Sequence, residues 1–236
     1  MPVTFKDKML PTQPLLSDQF KGSSAELLAA MYDAVTLFGG LQHPAEEFVI
    51  ERSDKVPVEE MASAPMMLRF LQTLIRLRRP KRILEVGAFL GISAMYMASA
   101  LEDDGRLTSV EKFDHFAAIA KRNFAANKLD HKIRLIQGDA FEVLRGFPAD
   151  HRFDMIFLDG NKERYDEYFR MLDPLLDSGG MFVTDDVFFH GDALNAEPQT
   201  EKGAGVRRFL ELTQTYTNYH RVLLPITNGF MLMLKK

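Results

Sequence analysis

The chain has 236 residues, with 46% hydrophobic and 26% charged side chains, a balance that excludes a disordered chain, a collagen-like fibre and a disulfide scaffold. Its 29 Lys and Arg stand against 33 Asp and Glu, a net charge of −4, so a dedicated nucleic-acid binder, usually basic, is disfavoured. With 0 cysteines, zinc–thiolate centres, thiol nucleophiles and disulfides are excluded, and a reducing cytoplasm is the expected location.

Residues 1–22 carry Pro2, Pro11 and Pro14 and no apolar run long enough for a signal-peptide core. They predict an extended arm and no export signal. No run of roughly 18 apolar residues occurs anywhere, so no membrane span is expected. Ser23-Ser24-Ala25-Glu26 is a capping box. Leu27, Leu28, Met31, Tyr32, Val35 and Phe38 follow it at helical spacing, and Gly39-Gly40 ends that helix. A linker with Pro44 and Pro57 leads to a second helix after Pro65, with Met67, Phe70, Leu71, Leu74 and Leu77 on one face and Pro80 as its stop. Residues 1–60 are therefore an N-terminal arm and helix, either part of the main domain or a dimer contact, and 61–236 are the main domain.

From residue 81 strands and helices alternate. Arg82–Val86 is a strand, Gly91–Leu101 a helix closed by Asp103-Asp104-Gly105, and Arg106–Val110 the second strand. Phe113, Phe116, Ala117, Ala120 and Phe124 mark a helix; Lys132–Gln137 is the third strand, with a short helix near Phe141–Leu144. Phe153–Leu158 ends in a continuous apolar run, as a strand buried on both faces should. Tyr165, Tyr168, Phe169 and Leu172 give the next helix, and Asp173-Pro174 predicts a restart of it. Gly180–Thr184 is the fifth strand. After a polar loop, Asp192–Gly205, which is either a pocket cover or a plain connection, Val206–Thr217 is helical. Val222–Leu224 and Phe230–Leu234 are strands joined by an Asn228-Gly229 hairpin signal. The expected fold is α/β: a doubly wound, mostly parallel sheet with helices on both faces and a C-terminal antiparallel hairpin.

Ligands of such sheets bind beyond the carboxyl ends of the strands. Strand one ends in Glu85-Val86-Gly87-Ala88-Phe89-Leu90-Gly91, which lacks the GxGxxG spacing of a nicotinamide site. Gly87 permits a tight turn and Gly91 a close helix start. Glu111, about 20 residues past Gly91, ends strand two where an acid can hold a ribose diol. Gly138-Asp139-Ala140 ends strand three, placed to line an adenine pocket. These signals favour a nucleoside site over solvated strand-end charges. Strand four ends in Asp159-Gly160-Asn161-Lys162 and strand five in Asp185-Asp186. Three acids at adjacent strand ends repel unless a cation joins them, and oxygen ligands alone suit Mg2+, Ca2+ or Mn2+. Helix-capping aspartates are the alternative that spacing leaves open.

The run Pro65–Lys236 resembles the cation-dependent O-methyltransferases, the class of catechol and caffeoyl-CoA O-methyltransferases. The matching residues are Glu85-x-Gly87-x-x-x-Gly91-x-Ser93, Glu111, Gly138-Asp139-Ala140, Asp159-x-x-Lys162-x-x-Tyr165, Gly179-Gly180 and Asp185-Asp186 followed by Gly191. The resemblance implies a Rossmann-like methyltransferase fold. It further implies S-adenosylmethionine contacts from Glu85, Gly87, Ser93, Glu111, Asp139, Ala140 and Asp159. By the same resemblance Asp159, Asp185 and Asp186 hold a divalent cation, Mg2+ before Mn2+ or Ca2+, and Lys162 is the candidate base. Two positions depart from the family pattern: Asp186 stands where Asn is usual, and Pro65-Met66 where Gly-Gln is common.

The expected reaction is methyl transfer to a hydroxyl of a small vicinal-diol aromatic. A cation would bind two adjacent oxygens and lower the pKa of one. Lys162 would take or steer its proton, unless it is a plain surface lysine. The alternatives are a tRNA hydroxyuridine O-methyltransferase, helped by a basic patch of Lys121, Arg122, Lys128, Lys132 and Arg134, and a cofactor-binding regulatory module without catalysis. No membrane partner is expected, and a homodimer is, through the apolar N-terminal helix. The histidines His43, His115, His131, His151, His190 and His220 show no metal-ligand spacing. His190, after the acidic pair, is placed either to enter a substrate pocket or to be a helix-cap or surface histidine. Phe188 and Phe189 read as core before they read as the floor of an aromatic site.

Overall fold

The computed structural model describes residues 23–56 and 63–236. The predicted arm, 1–22, lies outside them. The chain divides into two compact units, Met1–Leu41 and Gln42–Lys236.

In the first unit α1 spans Ser24–Phe38. The capping box forms as predicted: the Glu26 amide donates to Ser23 Oγ at 3.3 Å and the Ser23 amide to Glu26 Oε2 at 2.6 Å. The Gly39 amide closes the other end on the Val35 carbonyl at 2.9 Å. Met31, Tyr32, Val35 and Phe38 of the predicted apolar face are exposed.

The second unit begins with α2, Pro44–Glu47, and α3, Pro65–Arg78. Strands and helices then alternate: β1 Arg82–Val86, α4 Ile92–Ala100, β2 Arg106–Glu111, α5 Asp114–Ala126, β3 Ile133–Gln137, α6 Ala140–Arg145, β4 Phe153–Leu158, α7 Tyr165–Leu172 and β5 Leu176–Asp185. α8 Glu201–Thr215, β6 Tyr219–Leu224 and β7 Phe230–Lys235 complete it. The seven strands lie in the order β3-β2-β1-β4-β5-β7-β6. Pairs from β3 to β5 are parallel, while β5–β7 and β6–β7 are antiparallel. The chain reverses its winding direction between β1 and β4, which opens a crevice beyond their carboxyl ends.

Side-chain alternation divides the core between the two faces. Ile83, Leu107, Met155, Phe157 and Val183 meet α3, α4 and α5 on one face. Leu84, Val86, Val110, Ile156, Leu158 and Phe182 meet α6, α7 and α8 on the other.

Three expectations are corrected. Asp173-Pro174 does not restart a helix: Asp173–Leu175 is one 3-10 turn that runs into β5. β5 makes a first contact at Leu176, loops out through Gly179 at φ 78 and resumes pairing at Met181, the apolar stretch that the sequence marks. α8 begins at Glu201, five residues before Val206, because the Thr200 hydroxyl caps the Gly203 amide at 3.0 Å. The preceding loop is tied by the Asp192 carboxylate, which accepts from the Gln199 and Thr200 amides at 2.8 and 3.0 Å. β6 and β7 form the expected antiparallel hairpin across residues 225–229, with Leu224 opposite Phe230.

Candidate active site

Two side-chain clusters meet at the carboxyl ends of β1, β2, β4 and β5. The first surrounds Glu85, which is fully buried on β1. Its carboxylate accepts from Ser93 Oγ on α4 at 2.5 Å and from the hydroxyl of Ser109, its cross-strand partner on β2. Burial drives the Glu85 carboxyl up to about 7. The two serine hydroxyls oppose that rise, and the negative charges of Asp159 and Glu111 add to it. No cationic side chain among the described residues balances this buried acid, which makes it a ready counter-charge for a cationic ligand.

Glu111 ends β2, is 6% exposed and accepts from the Phe89 and Phe113 amides, each at 2.8 Å. Burial raises its carboxyl too, against those amides. Asp139 ends β3 and caps α6, accepting from the Phe141 amide at 3.0 Å. It also pairs with Lys112 at 3.2 Å, which holds its carboxyl low. Ala140 is buried beside it. The two glycines are required by the fold itself. Gly87 has φ 100, and a Cβ there would lie 2.3 Å from the Asp159 carbonyl oxygen. Gly91 has φ 81, and a Cβ would lie 2.3 Å from Phe124 Cε1.

The second cluster adjoins the first through β4, where the Asp159 amide donates to the Val86 carbonyl at 2.9 Å. Lys162 Nζ lies 3.0 Å from Asp159 Oδ1 and 3.2 Å from Asp186 Oδ2. Asp185 is buried at the end of β5 and its Oδ1 accepts the Asp186 amide at 2.8 Å. The fully buried Tyr165 donates its hydroxyl to the Asp185 carbonyl at 3.4 Å. Burial, then the Asp159 charge, pushes the Asp185 carboxyl far above the ordinary carboxylate range. Burial raises Asp186 as well, against the Lys162 ammonium. Burial alone would lower Lys162, yet the Asp159 and Asp186 carboxylates hold it well above its usual value. These charges favour the ammonium form of Lys162; a role as base requires the charges of Asp159 and Asp186 to be engaged elsewhere, as beside a metal.

Three participants escape a reading of the sequence alone. Ser109 is visible only once β1–β2 register sets it opposite Glu85. Asn123 on α5 donates to the Leu90 carbonyl at 3.0 Å in the loop after β1, and its Oδ1 accepts the Glu51 amide at 2.6 Å. Asn228, read as a turn residue, donates its side-chain amide to Asp186 Oδ1.

Residues 42–236 match the family model described as O-methyltransferase. The chain belongs to the O-methyltransferase family. It is 34% identical over 148 residues to a catechol O-methyltransferase of Niastella koreensis, covering 62% of this chain and 67% of that one. A probable caffeoyl-CoA O-methyltransferase of Dictyostelium discoideum is 24% identical and covers 98% of this chain and 99% of its own. The crystal structure of TomG, an O-methyltransferase of Streptomyces achromogenes involved in tomaymycin synthesis and determined with SAM, is 28% identical. It superposes with a TM-score of 0.76 over 89% of this chain and 96% of that one.

Among the described residues of this O-methyltransferase, no three His, Asp or Glu side chains are gathered as a metal cage. The Lys162 ammonium stands against both Asp159 and Asp186. The predicted basic patch is partly used within the fold: Arg122 makes two bonds of 2.7 Å to Glu51, and Lys132 Nζ donates to the Leu101 carbonyl at 2.8 Å. Phe188 and Phe189 pack against the core, and His190 is exposed. Among the described residues no helix is long and apolar enough to cross a membrane.

Proposed function

We propose that this O-methyltransferase transfers the methyl group of S-adenosylmethionine to one hydroxyl of a small vicinal-diol aromatic, with a divalent cation at the acidic cluster. The supporting observation is the meeting of the buried Glu85 with Asp159, Lys162, Asp185 and Asp186 at neighbouring strand ends.

The donor chemistry fits both groups. Glu85 offers a buried negative charge to a cation such as S-adenosylmethionine, and Glu111 offers a fixed carboxylate to a ribose diol. Gly87 keeps the chain tight against Asp159 where a side chain would push the strand ends apart. Asp159, Asp185 and Asp186, when ionised, exceed the Lys162 charge by two, which one divalent cation balances. All three offer the hard oxygen ligands that Mg2+ or Ca2+ takes.

When bound, S-adenosylmethionine supplies an electrophilic methyl, and a divalent cation supplies charge that lowers the pKa of a hydroxyl. Lys162 supplies an ammonium N–H donor that stabilises a developing phenolate oxygen. Once the charges of Asp159 and Asp186 are engaged elsewhere its pKa falls, so that it gives up its own proton to solvent and the neutral amine can then take one from the substrate hydroxyl. Buried Tyr165, through its bond to the Asp185 carbonyl, fixes the end of β5 and so the direction of both acids. The rest of the rate comes from alignment of acceptor and donor on rigid strand ends.

The test is mass-spectrometric detection of methylated product from S-adenosylmethionine with catechols, matched monophenols and bulk tRNA, each with metal and with chelator. Methylation of catechols that chelator abolishes is the expected result. Methylation of tRNA alone, or of monophenols without metal, would overturn this reading.

A further inference from the structure

The turn between β6 and β7 reaches back to the acidic cluster. Asn228 donates its amide to Asp186 Oδ1, while the other oxygen, Oδ2, lies 3.2 Å from Lys162 Nζ. Its side-chain oxygen accepts the His190 amide at 2.7 Å, and its carbonyl accepts the Phe188 amide at 2.8 Å. Next to it, the Gly229 carbonyl accepts the Val187 amide at 3.1 Å.

The segment held this way is strained. Asp186, Phe189 and His190 have φ of 61, 45 and 53, left-handed values that side chains adopt only where surroundings enforce them. Turn geometry does not explain the asparagine. Positive φ in this turn falls on Thr227 and Gly229, not on Asn228. What the position demands is a short side chain with one donor for Asp186 and one acceptor for His190, which a carboxamide supplies.

We propose that Asn228 is a positioning residue: from the β6–β7 turn it orients the Asp186 carboxylate, and through it the Lys162 ammonium, while clamping the strained Asp186–Gly191 segment. The catalytic consequence rests on the methyl-transfer reading above; the clamp does not. Asn228→Ala removes both side-chain bonds. Asn228→Asp keeps an acceptor for His190 but sets a second carboxylate against Asp186. The exchange Asp186→Asn with Asn228→Asp restores an amide–carboxylate pair with the roles reversed.

Three measurements on the full chain decide it: amide hydrogen exchange at His190, S-adenosylmethionine affinity by calorimetry, and kcat and KM with the acceptor found in the screen. Asn228→Ala is expected to lose at least about tenfold of His190 protection, since the acceptor that holds that amide is gone. The same variant should lower kcat by roughly 10- to 100-fold, with cofactor affinity within about twofold, as misplacement of a reacting group does. Asn228→Asp should lose at least as much turnover, and the exchanged pair should recover most of it. A kcat for Asn228→Ala within about twofold of wild type, despite lowered thermal stability, would reduce Asn228 to a structural role and overturn the proposal. So would an exchanged pair no better than Asn228→Asp. A wild-type chain inactive on every acceptor sinks the functional reading and leaves the clamp to hydrogen exchange, where unchanged His190 protection overturns it.

Discussion

Glu85 carries a stability cost that pH exposes. Its carboxyl rises from the ordinary 4.5 to about 7 in the folded chain, chiefly through burial. The folded state therefore holds this proton more tightly than the unfolded state. The associated stability is fully present below pH 4.5 and is lost as pH rises through about 7. A rise of two and a half pH units corresponds to about 3 kcal/mol, at 1.36 kcal/mol per unit, and most of it falls between pH 5 and pH 8. Glu85→Gln keeps the shape and stays neutral throughout. Burial and the charges of Asp159 and Glu111 no longer act on it, but Ser93 or Ser109 must turn its hydroxyl to accept from the new amide. That exchange costs roughly 1 kcal/mol at any pH. The Tm of the variant relative to wild type should accordingly rise by about 5–10 °C from pH 5 to pH 8, at roughly 2–4 °C per kcal/mol for a chain of this size. Other raised acids, such as Asp185, are common to both proteins and largely cancel in the difference. Thermal denaturation of ligand-free protein at the two pH values is the assay. A Tm difference that is the same at pH 5 and pH 8 would show that Glu85 is not a strained buried acid.

Glu111→Ala should weaken S-adenosylmethionine binding about tenfold or more, by loss of a charge-assisted acceptor, while circular dichroism stays native; calorimetry showing unchanged affinity removes Glu111 from the site. Asp186→Asn should retain turnover, bind divalent metal more weakly and lower the apparent pKa of the rate profile, because Lys162 loses one of the charges that hold it up. Metal titrations at several pH values check this, and abolished turnover at saturating metal would give the carboxylate a catalytic part. Full-length protein should be a dimer by light scattering, with α1 contributing through exposed Met31, Tyr32, Val35 and Phe38. A chain truncated before Gln42 should shift toward monomer, and a monomeric full-length protein refutes the expectation.

The sequence by itself determined most of the fold. Local periodicity and punctuation placed β1 and β4 to the residue, and the Ser23 box and Pro65 set two helix starts, because these signals act within one or two turns of chain. It also marked Glu85, Glu111, Asp139, Asp159, Lys162, Asp185 and Asp186, since an α/β sheet gathers whatever ends its strands. Tertiary structure alone decided how those groups address each other. Register put Ser109 on Glu85, and the antiparallel β7 carried Asn228 back to Asp186 across 42 positions of chain. Packing shapes protonation: Lys162, exposed in an isolated chain, is enclosed beside Asp159 and Asp186, whose charges outweigh the cost of burying it. Spacing encodes which strand a residue ends. It does not encode the depth of burial or the distance to a charge on another strand, and those two quantities set the chemistry of each acid and of the lysine.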